Sequence, residues 1–297
     1  MSRGWRLVRL EGHGGIRLGA VAPGAPDRIA LLDGSDPLEL FAPGALAEGA
    51  SASTETVEGV DPDTLRPPEP WRLALPLDPG EVWCAGVTYE RSRDARLGES
   101  QTEARDAYSL VYDAERPELF LKDAAGRRTV GPDGLIGVRS DASWSVPEPE
   151  LGIVLGRGGA LLGLTAGNDV SSRDIEGANP LYLPQAKVYA GACALGPAVL
   201  VPDDWEEPFP IELRIRDRAG ATVFEGETST ARMKRGLAEL AGFCVRDNPV
   251  PPGSVLLTGT GLVPADDFTL EPGMVVEVGI AGIGRLVNTV TTATDLL

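Results

Sequence analysis

Two glutamates stand one residue apart at the start of an apolar stretch, VPEPELGIVLG, at residues 146 to 156. The run LGIVLG has the composition of a buried strand, in which residues i and i+2 point to the same face. The carboxylates of Glu148 and Glu150 are therefore expected to project together. Two like charges near a core repel each other and resist desolvation, so either this end of the strand is solvated or a cation lies between them. Pro147 and Pro149 favour the solvated edge, because proline is common at strand starts and edges.

A third carboxylate ends the next apolar run, LLGLTAGND, which begins at Leu161. If the two runs pair as a hairpin through GRGGA, Asp169 returns to the end of the sheet where Glu148 and Glu150 begin. Three converging carboxylates form an all-oxygen site of the kind that hard divalent cations prefer, and Mg²⁺ usually keeps positions open for water or substrate. We therefore expect these three residues to hold a divalent metal, with Mg²⁺ favoured and Mn²⁺ or Ca²⁺ as alternatives.

The chain contains few residues that could support histidine or cysteine chemistry. His13, in the glycine-rich turn EGHGG, is the single histidine. This excludes a three-histidine metal site, and a Ser-His-Asp triad would have to use His13. The cysteines Cys84, Cys193 and Cys244 are far apart and lack CxxC spacing, which argues against a zinc ribbon or a disulfide framework. Buried, reduced thiols are expected.

The composition disfavours nucleic acid and anionic membranes as partners of this chain. The 297 residues are 42% hydrophobic, enough for a large core, and carry a net charge of −17. An acidic chain without a Lys/Arg cluster is a poor partner for nucleic acid or anionic lipid. No run of about 18 apolar residues occurs, and MSRGWRLVRLEG lacks the apolar core of a signal peptide. A cytoplasmic location is predicted.

Short strands separated by Gly and Pro turns must position these residues. Residues 1–72, with the runs WRLVRLEG, IRLGAVA and RIALLDG, are predicted to form a small N-terminal domain, and residues 73–297 the catalytic domain. From Leu119 onward many short strands, interrupted by one helix, TARMKRGLAELAGFCV, indicate a mostly antiparallel rolled sheet or barrel. Residues 91 to 114 are predicted to be helical, either as a lid or as a solvated connecting helix.

Five segments, in order, resemble successive motifs of the fumarylacetoacetate hydrolase superfamily: PEPELGIVLG, GNDVSSRD, AKVYAGACALGP, VLLTGTGLVP and GIGRLVNTV. The resemblance implies the mixed β-sandwich roll of that family, mostly β with some α, with a small N-terminal α/β domain and a homodimer or homotetramer. It implies that Glu148, Glu150 and Asp169 hold the metal. It also implies that Lys187 points toward the substrate and that Thr260, in the TGT turn, helps to hold the 2-oxo-acid end of the substrate.

One position departs from the pattern of the C–C hydrolases of this family. Those members carry a histidine three residues after the tyrosine of a G-x-N-Y turn, and Ser92 stands there in GVTYERS. A serine without a base cannot activate water near pH 7, which argues against cleavage of an acylpyruvate or of fumarylacetoacetate. The segments GVTYERSRDAR, ERPELFLK and IEGANPLYLPQAKVYAG are instead similar to the branch that dehydrates 2-keto-3-deoxy-D-arabinonate to 2,5-dioxopentanoate.

Resemblance to that branch implies an acid–base pair, Glu118 and Lys187. It implies substrate contacts from Tyr89, Arg91, Ser92 and Thr260. A 2-oxo acid chelated by the metal can lose a C3 proton to a base while an acid protonates the departing 4-hydroxyl. Either member of the pair can serve as the base.

Other interpretations stay open. Glu118 could equally form an ion pair with Arg116 or Lys122. The alternative activities are a C–C hydrolase and an oxaloacetate-type decarboxylase of 2-oxo acids. A metal-binding module without turnover is a further alternative, which the intact carboxylates, lysine and TGT turn disfavour.

Overall fold

The computed structural model describes residues 3–12, 14–34, 36–90 and 110–297. Its strands are β1 (Gly4–Gly12), β2 (Gly15–Val21), β3 (Arg28–Leu32), β4 (Thr56–Glu58), β5 (Arg72–Leu73), β6 (Glu81–Gly86), β7 (Glu118–Ala124), β8 (Thr129–Val130), β9 (Leu135–Val138), β10 (Ser145–Val146), β11 (Pro149–Leu155), β12 (Leu161–Asp169), β13 (Ser171–Ser172), β14 (Cys193–Pro202), β15 (Pro210–Arg216), β16 (Thr222–Ser229), β17 (Ser254–Leu257), β18 (Val275–Ile280) and β19 (Gly284–Thr292). Its α-helices are α1 (Ala45–Ala52), α2 (Arg173–Ala178), α3 (Leu183–Lys187) and α4 (Leu237–Cys244). Short 3-10 helices lie at Pro37–Phe41, Arg157–Gly159, Pro180–Tyr182, Thr230–Arg232 and Ala293–Leu296.

Two sheets carry the fold. The large sheet has the order β4-β3-β2-β1-β14-β12-β11-β17-β6-β7, with β5 beside β1 and β8 beside β14. The second sheet has the order β16-β15-β18-β19-β9. Strand β1, which precedes residue 72, pairs antiparallel with β14, which follows it. The N-terminal segment and the rest of the chain therefore share one hydrogen-bonded sheet. The division into two domains at that residue stays a prediction.

Side-chain alternation along β11 separates two cores. Leu151, Ile153 and Leu155 belong to a cluster with apolar residues of β15, β18 and β19, between the two sheets. Val154 belongs to a second cluster, on the opposite face of the large sheet, with Leu257 of β17. Two sheets packed face to face over a shared apolar layer form a sandwich, which confirms the mostly-β architecture predicted from the strand pattern.

The predicted hairpin is present. Strands β11 and β12 are antiparallel, with Pro149 opposite Asn168 and Glu150 opposite Gly167. The Asp169 N–H donates a hydrogen bond of 2.9 Å to the Glu148 carbonyl oxygen. These pairings bring the start of β11 and the end of β12 to the same place in the sheet.

The helix predicted over residues 230–245 is shorter in the structure. Only Leu237–Cys244 is α-helical, and Thr230–Arg232 form a 3-10 turn in which Ser229 Oγ accepts a hydrogen bond from the Ala231 N–H. Gly236, with an extended ψ of 156°, separates the two segments. Most of the predicted lid, residues 91–109, lies outside the described residues, as do Arg91, Ser92 and His13. Within the described ranges, no helix is long and apolar enough to cross a membrane.

Candidate metal and active site

Three buried carboxylates converge where β11 begins and β12 ends. One oxygen from each of Glu148, Glu150 and Asp169 lies within 4.8 Å of the others. The residues are only 3%, 1% and 1% exposed, so water cannot neutralise their mutual repulsion. An all-oxygen donor set of this kind fits a hard divalent cation such as Mg²⁺. The convergence expected from strand alternation and the hairpin is confirmed.

Glu150 is fixed by a main-chain donor. Its Oε2 accepts a hydrogen bond of 2.7 Å from the Gly259 N–H. Gly259 has φ +90°, and a Cβ at this position would lie 2.1 Å from Thr88 Oγ1. The Thr88 hydroxyl in turn donates 2.6 Å to the Thr258 carbonyl oxygen. Only glycine can therefore bring its N–H to the Glu150 carboxylate here.

The electrostatics of Glu150 indicate a need for positive charge. Burial raises the pKa of Glu150 well above its usual value, and the charges of Asp169 and Glu148 raise it further. A cation placed among the three carboxylates would favour the ionised form of all of them. A resident cation would therefore favour the ionised carboxylate of Glu150 that metal ligation requires.

Lys187, at the end of α3, places its ammonium between two of the carboxylates. Nζ donates hydrogen bonds of 2.8 Å to Glu148 Oε2 and 2.8 Å to Asp169 Oδ2, and a third to Ser171 Oγ. The side chain is 1% exposed. Lys187 is thus a buried residue that points into the candidate site, and it is not a surface lysine after a loop.

Two further cations surround the cluster, and sequence reasoning did not assign them to it. Lys122, with 0% exposure, pairs with Asp169 and donates 2.9 Å to the Val170 carbonyl oxygen. Arg173 Nη2 lies 2.9 Å from Glu148 Oε1. Sequence reasoning considered Lys122 only as a partner for Glu118. Lys122 stands at a register shift between β6 and β7, so strand alternation gives no signal for the direction of its side chain.

Glu118 lies at the first residue of β7, opposite Gly86 of β6. A Cβ added to Gly86 would lie 2.0 Å from Glu118 Oε2, so the glycine leaves room for this carboxylate. Phe120, on the same face of β7, has its ring centroid 5.7 Å from Lys187 Nζ. Gly86, Phe120 and Lys187 line the same small pocket as the three carboxylates. Strand β7 therefore places Glu118 beside Gly86 and Phe120, two residues that line this pocket.

Two of the predicted substrate contacts, Tyr89 and Thr260, belong to the described residues and lie in two neighbouring turns. Thr260 lines the pocket, and its Oγ1 accepts from the Leu262 N–H at 3.2 Å and donates to the Leu262 carbonyl oxygen at 3.0 Å. Tyr89 is 1% exposed and packs against Gly261, and its hydroxyl has no hydrogen-bond partner within the described ranges. Burial raises the pKa of Tyr89 above its usual value. Val87 of the same turn lines the pocket with φ +53°, a strained conformation for a β-branched residue.

Comparison with known proteins places this fold and site in a family. The family model described as fumarylacetoacetate (FAA) hydrolase C-terminal matches residues 81–291. The chain belongs to the fumarylacetoacetate hydrolase family.

Its relatives include dehydratases of sugar acids. It is 51% identical over 219 residues to the probable 2-keto-3-deoxyxylonate dehydratase of Haloferax volcanii, covering 73% of this chain and 74% of the relative. It is 43% identical over 222 residues to the 2-dehydro-3-deoxy-D-arabinonate dehydratase of Saccharolobus solfataricus, covering 74% of each. A solved 2-keto-3-deoxy-D-arabinonate dehydratase, complexed with magnesium and 2,5-dioxopentanoate, matches with a TM-score of 0.81 and 37% identity, covering 97% of this chain and 99% of that chain.

Proposed function

We propose that this protein is a Mg²⁺-dependent hydro-lyase that converts 2-keto-3-deoxy-D-arabinonate to 2,5-dioxopentanoate. One observation carries the proposal. A buried triad of carboxylates, Glu148, Glu150 and Asp169, brings one oxygen of each residue within 4.8 Å of the others, and the Lys187 ammonium lies 2.8 Å from two of them. A divalent ion and a positioned proton-transfer group are the two requirements for removing a proton next to a 2-oxo group.

The similar dehydratases support the substrate class. Their names give 2-keto-3-deoxy acids of the xylose and arabinose series, and one was solved with the dehydration product. In a 2-keto-3-deoxy-pentonate, C2 is a carbonyl carbon and C3 a methylene, so C4 is the single stereocentre. The D-xylose and D-arabinose series therefore converge on one compound, which removes any conflict between the two names.

Each site residue is given one role. Glu148, Glu150 and Asp169 hold the ion, which when bound supplies a Lewis acid for the 2-oxo end of the substrate. Glu118 and Lys187 form the acid–base pair: one takes a C3 proton and the other protonates the 4-hydroxyl as it leaves. Tyr89 and Thr260 contact the substrate from the adjoining turns, and Arg91 and Ser92 are proposed to do so from the segment that follows Tyr89.

Dehydration alone does not give the product, and the proton count shows what else is needed. Loss of a C3 proton and the 4-hydroxyl leaves a C3–C4 double bond beside the 2-oxo group and a CH₂OH at C5. Removal of one C5 proton and return of a proton to C3 give the enol of the C5 aldehyde. That enol becomes 2,5-dioxopentanoate when C4 gains a proton and the enol oxygen loses one. Water is the single group lost.

The proposed setting follows from the same chemistry. A sugar acid that has lost one hydroxyl and been oxidised at C2 arises during breakdown of a pentose, so we place the reaction in pentose catabolism. We propose that the protein acts in the cytoplasm as a homodimer or homotetramer.

A panel of substrates tests the activity. One preparation with Mg²⁺ is given 2-keto-3-deoxy-D-arabinonate, an acylpyruvate and oxaloacetate, and is assayed separately for 2,5-dioxopentanoate, pyruvate and CO₂. We expect 2,5-dioxopentanoate from the first substrate and loss of activity when a chelator removes the ion. Pyruvate from the acylpyruvate without 2,5-dioxopentanoate would indicate a C–C hydrolase, and CO₂ from oxaloacetate alone would indicate a decarboxylase. Metal binding without turnover of any substrate would indicate a binding module.

A further inference from the structure

A second cleft lies between the N-terminal strands and the five-stranded sheet. It encloses about 370 Å³, within the usual size range of sites for small molecules. Its charged lining residues are Arg6, Asp63, Glu212 and Arg285. The other lining residues are prolines, small residues and Ile280. None of these residues lines the pocket at the three carboxylates.

Strand β14 runs from the carboxylate cluster to the cleft, so its length gives the distance between the two sites. Cys193 of β14 pairs with Asp169 at the carboxylate cluster, and Leu200 pairs with Arg6 of β1 at the cleft. Seven residues of strand separate these two pairings, which is roughly 20 Å at the usual rise per residue. The cleft is therefore a separate feature of the fold and not an extension of the proposed active site.

Arg6 is a buried charge without a protein partner. The residue is 5% exposed, its Nε is buried without a hydrogen-bond acceptor, and within the described ranges its guanidinium forms no ion pair. Burial lowers the pKa of Arg6 to about 10, which still leaves the side chain charged at neutral pH. A buried, unpaired charge is costly, and such groups in proteins are normally paired.

The other charges of the cleft pair with one another, although Arg285 Nη1 is itself buried without a hydrogen-bond acceptor within the described ranges. Arg285 Nε lies 2.7 Å from Asp63 Oδ2, and Arg285 Nη2 lies 3.0 Å from Glu212 Oε2. The two carboxylates are therefore engaged with Arg285, and Arg6 is the cation that they leave uncompensated. The cleft therefore offers an anion the guanidinium of Arg6, which forms no ion pair, and a further unsatisfied N–H at Arg285 Nη1, beside two carboxylates and an apolar wall.

We propose that this cleft binds the carboxylate of a small organic monoacid. A guanidinium matches a carboxylate as a planar fork, and the pairing would compensate the buried charge of Arg6. Asp63 and Glu212 disfavour a second negative charge, so a monoacid fits better than phosphate. The prolines and Ile280 provide contact for the apolar part of the acid. This site is independent of the proposed dehydratase activity.

Binding of isobutyrate to the Mg²⁺-loaded protein tests the proposal. Isobutyrate has a carboxylate and a small apolar body but no 2-oxo group with which to chelate the metal. We expect saturable binding by calorimetry to the parent protein, at least tenfold weaker binding to Arg6→Met, and weaker binding of phosphate than of isobutyrate to the parent. The matched control is Arg66→Met, which removes an exposed arginine that pairs with Asp133 outside this cleft and should leave binding unchanged.

Two further measurements keep the test decisive. Isobutyrate should raise the midpoint of thermal unfolding of the parent and of Arg66→Met but not of Arg6→Met, because only a ligand that binds the native state stabilises it. Arg6→Lys, which keeps the charge but loses the planar fork, should bind isobutyrate more weakly than the parent.

Several results would overturn the proposal. Equal binding to the parent and to Arg6→Met would show that Arg6 is not the receptor, and tighter binding of phosphate would reject the monoacid. Absence of saturable binding to the parent would reject a free acid as the ligand. If that absence came with dissociation of an oligomer in Arg6→Met, measured by sedimentation, the carboxylate that pairs with Arg6 would belong to a second copy of this chain.

Discussion

The ammonium of Lys122 and the carboxylate of Asp169 form an ion pair whose side chains are 0% and 1% exposed. Lys187 donates to the same carboxylate, so two buried lysines share one proposed metal ligand. With Arg173 beside Glu148, three cations face three carboxylates, and the formal charges of the cluster cancel. The first predictions concern this balance.

Replacing Lys122 by Met should leave Asp169 with less compensation in a buried place. Removing one partner of a buried pair costs about 3–5 kcal/mol, so we expect a loss of that order in the free energy of unfolding without Mg²⁺. Saturating Mg²⁺ should stabilise this variant more than the parent, because the ion supplies part of the missing charge. Urea denaturation with and without Mg²⁺ measures both effects. Lys234→Met, which removes a 35% exposed lysine paired with Asp113, is the control and should cost less than about 1 kcal/mol.

Glu150→Gln should abolish most of the Mg²⁺ affinity while keeping the fold. The amide oxygen of Gln can still accept from the Gly259 N–H, but the ligand charge is gone. We expect affinity to fall at least about tenfold by calorimetry, equivalent to about 1.4 kcal/mol. Glu277→Gln is the matched control, because Glu277 is 3% exposed and pairs with Arg214 and Arg216 in the other sheet. Parent-like affinity in Glu150→Gln would show that the ion binds elsewhere.

Lys187→Ala should separate catalysis from metal binding. Loss of a proton-transfer group typically lowers kcat by about 10² to 10⁴. The same change frees the oxygens of Glu148 and Asp169 that Lys187 now occupies, so Mg²⁺ affinity should be unchanged or higher. Turnover of 2-keto-3-deoxy-D-arabinonate and calorimetry with Mg²⁺ give the two readings. A loss of metal binding that parallels the loss of turnover would contradict the catalytic role.

Glu118 can be tested directly and through its neighbour. Glu118→Gln should lower kcat by about 10² to 10⁴ with little change in Mg²⁺ affinity. Gly86→Ala should act in the same direction, because its Cβ would stand 2.0 Å from Glu118 Oε2 and must displace the carboxylate. Gly242→Ala, where a Cβ meets nothing within 4 Å, controls for the substitution itself. If Gly86→Ala retains full turnover, the position of the Glu118 carboxylate is not important to the reaction.

The three thiols should be inert in the native protein. Burial raises the pKa of Cys193 and Cys244 to about 12 and that of Cys84 well above its usual value. At pH 8 a thiol of pKa 12 is ionised to only about one part in ten thousand, and the thiolate is the reactive form. A colorimetric thiol reagent should therefore label none of the native cysteines at pH 8 and all three in denaturant. Rapid labelling of one thiol in the native state would show that its surroundings admit solvent.

Local sequence rules were sufficient to predict that the three carboxylates converge. Alternation placed Glu148 and Glu150 together, and a hairpin between neighbouring runs returned Asp169 to them, because both rules act over a few residues of chain. The strand-rich, mostly antiparallel character could be predicted for a similar reason, since short apolar runs and Gly/Pro turns are visible in the sequence. The sandwich itself was implied by the resemblance to the family and not by the strand pattern. The predicted helix over 230–245 is longer than the observed one because Gly236, with an extended ψ of 156°, precedes the first helical turn.

The cations of the site could not be predicted without knowing the order of strands in the sheet. Lys122 lies on β7, and three strands, β6, β17 and β11, separate it in the sheet from β12, which carries Asp169. No pattern within either segment specifies that order. Arg173 reaches Glu148 only because β13 pairs with β10 and turns the chain into α2. The donor at Gly259 was also missed, because a main-chain N–H has no signature in a residue type.

That donor has a consequence for how the site should be surveyed. Alanine scanning removes side chains, and the group that orients Glu150 belongs to none. At residue 259 the scan would instead introduce a methyl group 2.1 Å from Thr88 Oγ1, and the defect would register as misfolding. A functional map built from substitutions would then leave blank one of the contacts that shape the metal pocket. Replacing the amide of residue 259 by an ester, through chemical ligation, would delete the hydrogen bond alone and make that contact measurable.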